Sequence, residues 1–169
     1  MVQIYCGEGK GKTTAAVGLT VRAAGRGLRV VFAQFLKSGD SGERAVLAGL
    51  PTVNLLEVPK TMKFTFAMDQ AEREAEAVRQ TALLRQAAEL ADQADVLVLD
   101  ELCAAINSGM VPLDEATALL DSRPASLEVV GTGRDPAQAL MDRADYITEM
   151  KKIRHPFDQG VRARQGIEW

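Results

Sequence analysis

Val2-Gln3-Ile4-Tyr5-Cys6-Gly7-Glu8-Gly9-Lys10-Gly11-Lys12-Thr13-Thr14 is the stretch whose reading decides the fold. Val2–Cys6 reads as a strand and Lys12–Ala24 as a helix, with a glycine-rich loop between them. Glycines let a backbone wrap its N–H groups around a phosphate. The helix start adds the positive end of its dipole. At the end of the loop Lys12 supplies a mobile cation, and Thr13 a hydroxyl for a magnesium ion. The pattern G-x-x-x-x-G-K-[ST] would put its first glycine at position 6, where this chain has Cys6. Gly7, Glu8, Gly9, Lys10, Gly11, Lys12, Thr13 and Thr14 are the candidate nucleotide-binding residues.

Outward from the loop, short apolar runs alternate with helical stretches. Strands are expected at Arg29–Gln34, Val53–Val58, Val96–Leu99, Leu127–Gly131 and, at an edge, Tyr146–Met150. Helices are expected at Asp69–Ala94 and Leu113–Leu120. Asp69 with Glu72 reads as a capping box, and Asp135-Pro136 as a cap followed by proline at the first helical position. Strands without polar alternation, interleaved with helices, imply a mostly parallel sheet of about six strands covered on both faces. The fold class is therefore α/β, a P-loop NTPase-like (RecA-like) three-layer fold in a single domain over residues 1–169. Leu36–Gly49 and the polar tail 151–169 carry no clear periodicity, and there is no repeat or low-complexity tract.

Val96–Leu99 runs into Asp100-Glu101. Acids at the carboxyl end of a buried parallel strand face the crevice where such sheets bind ligands, and can hold Mg²⁺ (or Mn²⁺) directly or through water. Thr13, Asp100 and Glu101 are the candidate metal residues. Arg134, just beyond the fifth strand, can clamp phosphate.

The chain has 169 residues, with 20 Lys and Arg against 23 Asp and Glu, a net charge of −3. That is no footprint of nucleic-acid binding. No apolar run approaches the ~18 residues of a membrane span, and no secretory signal is visible. Cys6 and Cys103 have no metal-type spacing and read as reduced thiols of a cytoplasmic protein. A single histidine, His155, removes Ser-His-Asp triads and histidine-rich zinc sites. The residues alone leave three classes open: a phosphotransferase or NTP hydrolase, a nucleotide-dependent binding module, or a transferase whose second substrate is already a strong nucleophile.

Residues 7–39, Val96–Leu102, Thr132–Asp135 and Ala144–Trp169 together resemble the ATP:corrinoid adenosyltransferases of the BtuR/CobO/CobP type, over nearly the whole chain. The tail, with Lys151, Arg154, His155, Phe157, Gly160, Val161 and Ile167-Glu168, is its most specific part; the family loop also lacks glycine at the position of Cys6. The resemblance implies that a corrinoid reduced to Co(I) attacks the 5′ carbon of ATP and triphosphate leaves. The loop would hold the triphosphate in the reverse sense to an NTP hydrolase. Lys10, Lys12 and a metal at Thr13 and Glu101 would stabilise the departing charge. Phe64 and Phe66 match two aromatics that press on the lower corrin face, exclude the lower ligand and ease reduction of Co(II); relatives carry tryptophan at the second. Lys12, Glu101, Phe64 and Phe66 are thus the implied catalytic residues. The resemblance also implies a flavodoxin or flavin reductant and a homodimer. Longer members carry an N-terminal segment over the active site, so a more open site, or a cover from elsewhere, is expected. His155 and Phe157 match the family tail and are read as part of a tail packed on the sheet, with direct ligand contact as the alternative.

Overall fold

The computed structural model describes residues 1–168. Six strands, β1 (Val2–Cys6), β2 (Val30–Gln34), β3 (Val53–Leu55), β4 (Val96–Asp100), β5 (Glu128–Thr132) and β6 (Tyr146–Glu149), form one sheet in the order β3-β2-β4-β5-β1-β6. Every pairing is parallel, so the sheet is wholly and not just mostly parallel. β2 and β4 are buried at every residue, which explains their unbroken apolar run. On one face α3 (Gln70–Glu89), α4 (Leu102–Asn107) and α5 (Leu113–Ser122) cover a core that includes Leu84, Leu97, Leu99, Leu102 and Leu120. On the other, α1 (Lys12–Ala24) and α2 (Gly42–Leu47) cover Phe32, Val98 and Val130 with Ala16, Ala23 and Leu47. α6 (Gln138–Met141) leads into β6.

The register aligns the strand ends that matter. Gln34 pairs with Asp100, and Tyr5 with Thr132. Because β5 lies between β1 and β4, Thr132 stands between the glycine loop and Asp100.

Several expected boundaries move for identifiable reasons. The Asp69 capping box is present: Glu72 N–H donates to Asp69 at 2.9 Å and Asp69 N–H to Glu72 at 3.1 Å. The helix it starts ends at Glu89 and not at Ala94, because the chain tightens into a 3₁₀ turn (Ala91–Gln93) to enter β4. The strand expected over Val53–Val58 stops at Leu55; the Leu56 carbonyl is taken by the Arg44 guanidinium at 2.9 Å, and Pro59 has no N–H to continue the ladder. Asp135 does not cap a helix. Asn107 Nδ2 donates to the carbonyls of Arg134 and Asp135, Asp135 is left-handed at φ 45°, and α6 starts at Gln138. Within Leu36–Gly49 lies α2, and α4 follows Glu101; both are too short to show a period. The tail is not packed on the sheet. Its residues are mostly exposed and run alongside the glycine loop, with a 3₁₀ turn at Pro156–Gln159; Trp169 lies outside the described residues.

Candidate active site

The glycine loop leaves β1 through Gly7 at φ 97° and enters α1 through Gly11 at φ 116°, backbone regions that L side chains rarely adopt. Gly9 is needed for a different reason. Its N–H donates to the Met150 carbonyl at 2.6 Å, and a Cβ at Gly9 would stand 2.5 Å from that oxygen. The chain leaving β6 is thereby clamped against the loop. Lys12 folds back across the loop, its Nζ donating to the carbonyls of Gly7 at 2.7 Å and Gly9 at 2.8 Å. A cavity of about 270 Å³ opens above, lined among others by Lys10, Lys12, Thr13 and Thr14. Backbone N–H groups at a helix start, with the ammonium groups of Lys10, Lys12 and Lys37 in the lining, make it a site for an anion.

At the end of β4 the Asp100 carboxylate is fully buried. Its Oδ1 accepts from Thr13 at 2.9 Å and Thr132 at 2.7 Å, and its Oδ2 from Gln34 at 3.3 Å. The Thr132 hydroxyl also accepts the Glu101 N–H at 2.8 Å. Glu101 is left-handed at φ 61°. Burial pushes its carboxyl above the usual range, and Asp100 adds to the rise; Lys37, Lys12 and Arg134 oppose it. The described non-glycine residues with positive φ are Leu36, Glu101 and Asp135, and each follows the carboxyl end of a central strand, where strain accompanies function. Arg134 closes one side of the pocket with an ion pair to Glu8 at 3.0 Å.

Phe64 and Phe66 are not core residues. They are 74% and 85% exposed and stack on each other, centroids 5.4 Å apart and planes 9° from parallel. Phe64 lines a groove of about 390 Å³ with Met62, Lys63, Leu36, Lys37 and Glu101. That groove and the loop pocket share Lys37 and Glu101. The loop holding the phenylalanines is tied down by Arg73, which donates to the Thr65 and Ser108 carbonyls, both at 2.9 Å.

The tail supplies the far wall. A cavity of about 520 Å³ beside Gly9 and Lys10 is lined by Lys152, Arg154, His155, Phe157 and Arg164, among others. Arg164 pairs with Glu168 at 2.9 Å, which holds that carboxyl down at about 2; Lys10 stands 3.9 Å from the same group. His155 Nδ1 accepts the Phe157 N–H at 3.2 Å, leaving Nε2 as the ring's donor when neutral.

The structure thus brings the glycine loop, Asp100, Glu101 and Arg134 to one sheet edge, with Phe64 at the adjoining groove and Phe66 stacked on it. Sequence reasoning missed Gln34, Thr132 and Lys37. Gln34 and Thr132 are polar residues at the carboxyl ends of apolar strands, a signal the sequence does carry; Lys37 follows a strained turn and carries none.

The family model described as ATP:corrinoid adenosyltransferase BtuR/CobO/CobP matches residues 1–169. A corrinoid adenosyltransferase of Pseudomonas aeruginosa is 35% identical over 169 residues, covering 98% of this chain and 82% of the relative. The corrinoid adenosyltransferase CobA of Salmonella typhimurium is 36% identical over 177 residues, covering 100% of this chain and 85% of its own. One from Escherichia coli K12 is 34% identical with the same coverage. Matched along its full length by the family model and by relatives above 30% identity, the chain belongs to the BtuR/CobO/CobP family of ATP:corrinoid adenosyltransferases.

Proposed function

We propose that the glycine loop binds ATP by its triphosphate and turns the 5′ carbon toward a corrinoid lying on the Phe64 groove. The chain is a transferase moving the adenosyl group of ATP to a corrinoid. The observation that carries the siting is the junction of the two cavities at Glu101 and Lys37, where a triphosphate in one and a corrinoid in the other would have the 5′ carbon between them. The Co(I) centre is the nucleophile, so no general base is needed, and binding geometry carries much of the rate. Lys12, released from the Gly7 and Gly9 carbonyls, and Lys10 meet the triphosphate; Arg134, paired with Glu8, flanks it. This differs from phosphotransfer, which must orient a hydroxyl or water.

The donors fit Mg²⁺ or Mn²⁺. Thr13 gives its proton to Asp100 and keeps its oxygen lone pairs outward, and Glu101 offers a second hard oxygen. Asp100, whose oxygens are already engaged, holds Thr13 in place or acts through water. Thr13 and Glu101 supply two ligands, and triphosphate oxygens would complete the cation's shell. Bound there, the ion supplies positive charge against the triphosphate.

Phe64 and Phe66, exposed and stacked, would press on the lower corrin face and exclude the lower ligand. We read the electron donor as a flavodoxin or reduced flavin, the compartment as the cytoplasm and the unit as a homodimer. Two free buried thiols support the compartment. Exposed Tyr146 and Ile147 on edge strand β6 give a second copy apolar surface to cover. No described helix is long and apolar enough to cross a membrane.

The test is ATP with cobalamin chemically reduced to Co(I). The expected outcome is the visible spectrum of the adenosylated corrinoid with one triphosphate released per product. ADP or orthophosphate in its place would establish the phosphotransferase or hydrolase reading instead.

A further inference from the structure

Lys37 lines the loop pocket, the Phe64 groove and a third cavity of about 490 Å³ between α1 and α2. It stands at the point where all three meet. Its neighbours are fixed: Leu36 is held at φ 54°, with its N–H on the Gln80 side chain at 3.4 Å, and Glu101 at φ 61°. Lys37 is also the foremost of the cations that oppose the rise in the Glu101 pKa, which puts its ammonium near that carboxylate. The other cations of the loop pocket are engaged, Lys12 by loop carbonyls, Lys10 by Glu168 and Arg134 by Glu8.

We infer that Lys37 is a catalytic residue of adenosyl transfer, its ammonium meeting the 5′ oxygen as the bond from that oxygen to the 5′ carbon breaks. The inference rests on the reading proposed above. In the step, the electron pair of Co(I) forms the cobalt–carbon bond. The pair of the carbon–oxygen bond stays on the oxygen. Cobalt is oxidised from Co(I) to Co(III), the 5′ carbon is reduced, and the triphosphate leaves with one negative charge more than it bore within ATP. No proton moves. The new charge therefore appears at the corrinoid end of the triphosphate, where the two cavities join. Lys12 and Lys10, on the glycine loop, meet charge that ATP already carries as well as the charge that departs, so part of their attraction is spent on binding the substrate. A cation at the junction gains strength only as the bond breaks, which is what raises kcat.

The test uses Lys37→Met, which keeps the alkyl stem, and Lys37→Arg, which keeps the charge. Cobalamin is supplied as Co(I) by a strong chemical reductant, so reduction on the enzyme does not enter the rate. The wild-type protein is assayed first; if it forms no adenosylcobalamin, the proposed function fails and Lys37 is not what failed. With the wild type active, kcat of Lys37→Met should fall about 100–1,000-fold. Its ATP Kd, measured without corrinoid, should stay within about threefold of wild type. Lys37→Arg should regain part of the rate. An unchanged kcat in Lys37→Met overturns the assignment. So does an ATP affinity that falls as far as kcat/KM does, which would make Lys37 a ground-state anchor. A kcat loss accompanied by a lowered thermal midpoint and left unrecovered by Lys37→Arg would assign Lys37 to the fold and overturn it as well.

Discussion

Replacing Gly9 by alanine tests how the loop is held. Gly9 is not among the glycines with positive φ, so the cost is one of contact and not of backbone strain. The new Cβ would lie 2.5 Å from the Met150 carbonyl oxygen and 2.8 Å from its carbon. Both are backbone atoms, so no rotamer change relieves them. The Met150 segment must retreat by about 0.9 Å to reach the 3.4 Å of ordinary contact, and the 2.6 Å hydrogen bond from Gly9 is strained or lost with it. A lost hydrogen bond costs about 0.5–1.5 kcal/mol and overpacking about 1–3 kcal/mol. Loop and tail bend more easily than the sheet, so most of this should fall on nucleotide binding. ATP affinity should drop roughly 10–100-fold, each tenfold step being about 1.4 kcal/mol. Gly18→Ala is the control: its Cβ meets nothing within 4 Å, and a glycine inside a helix costs about 0.5–1 kcal/mol relative to alanine. That variant should keep its ATP affinity and gain roughly 1–4 °C in thermal midpoint. The measurements are titration calorimetry with ATP and thermal unfolding. If Gly9→Ala binds ATP as the wild type does, the clamp between the loop and Met150 does not shape the nucleotide site.

Glu101→Gln should slow turnover yet raise the thermal midpoint of the nucleotide-free protein at neutral pH. Burial and Asp100 raise the Glu101 pKa, so its contribution to stability is intact in acid and lost as pH climbs through the raised value; the midpoint gap should open with pH, and a gap that ignores pH refutes this. Phe64→Ala and Phe66→Ala, both at exposed sites, should alter stability by no more than about 0.5 kcal/mol. Their activity loss should be larger when a mild donor must reduce Co(II) on the enzyme than when Co(I) is supplied ready-made; equal losses would make the rings plain corrinoid contacts. Burial pushes the Cys103 thiol up to about 12 and raises that of Cys6, so neither should be alkylated at pH 8 until denaturant is added, and rapid labelling of the native protein would contradict the packing.

The fold was legible where periodicity is long or burial is complete. β2 and β4 are apolar on all but their last residue because helices cover both faces, β1 and β5 carry shorter apolar stretches, and sequence places all four within one residue at each end. The long helix was readable from its start, where Asp69 and Glu72 satisfy each other locally. Its end was not, because what stops it is the need to enter β4. Asp135-Pro136 shows the same limit. The local cap signal is sound, but Asn107, distant in sequence, draws in the Arg134 and Asp135 carbonyls and sets a different backbone. Short helices such as α2 depend on tertiary anchors: Arg44 reaches Gln34 at 2.9 Å and Leu56 at 2.9 Å, contacts no local pattern announces.

The site divides along the same line. The glycine loop and Asp100-Glu101 were readable because each is a strand end followed by residues with chemistry of their own. What binds them together was not: Thr132 and Gln34 matter only because strand order sets them beside Asp100. Net charge was silent about the site for a more basic reason. A total of −3 says nothing of a pocket for a polyanion, because charge is segregated along the chain: residues 151–169 hold five lysines and arginines against two acids, and the fold lays that tail beside the loop. An acidic protein can therefore offer a locally basic crevice to a triphosphate.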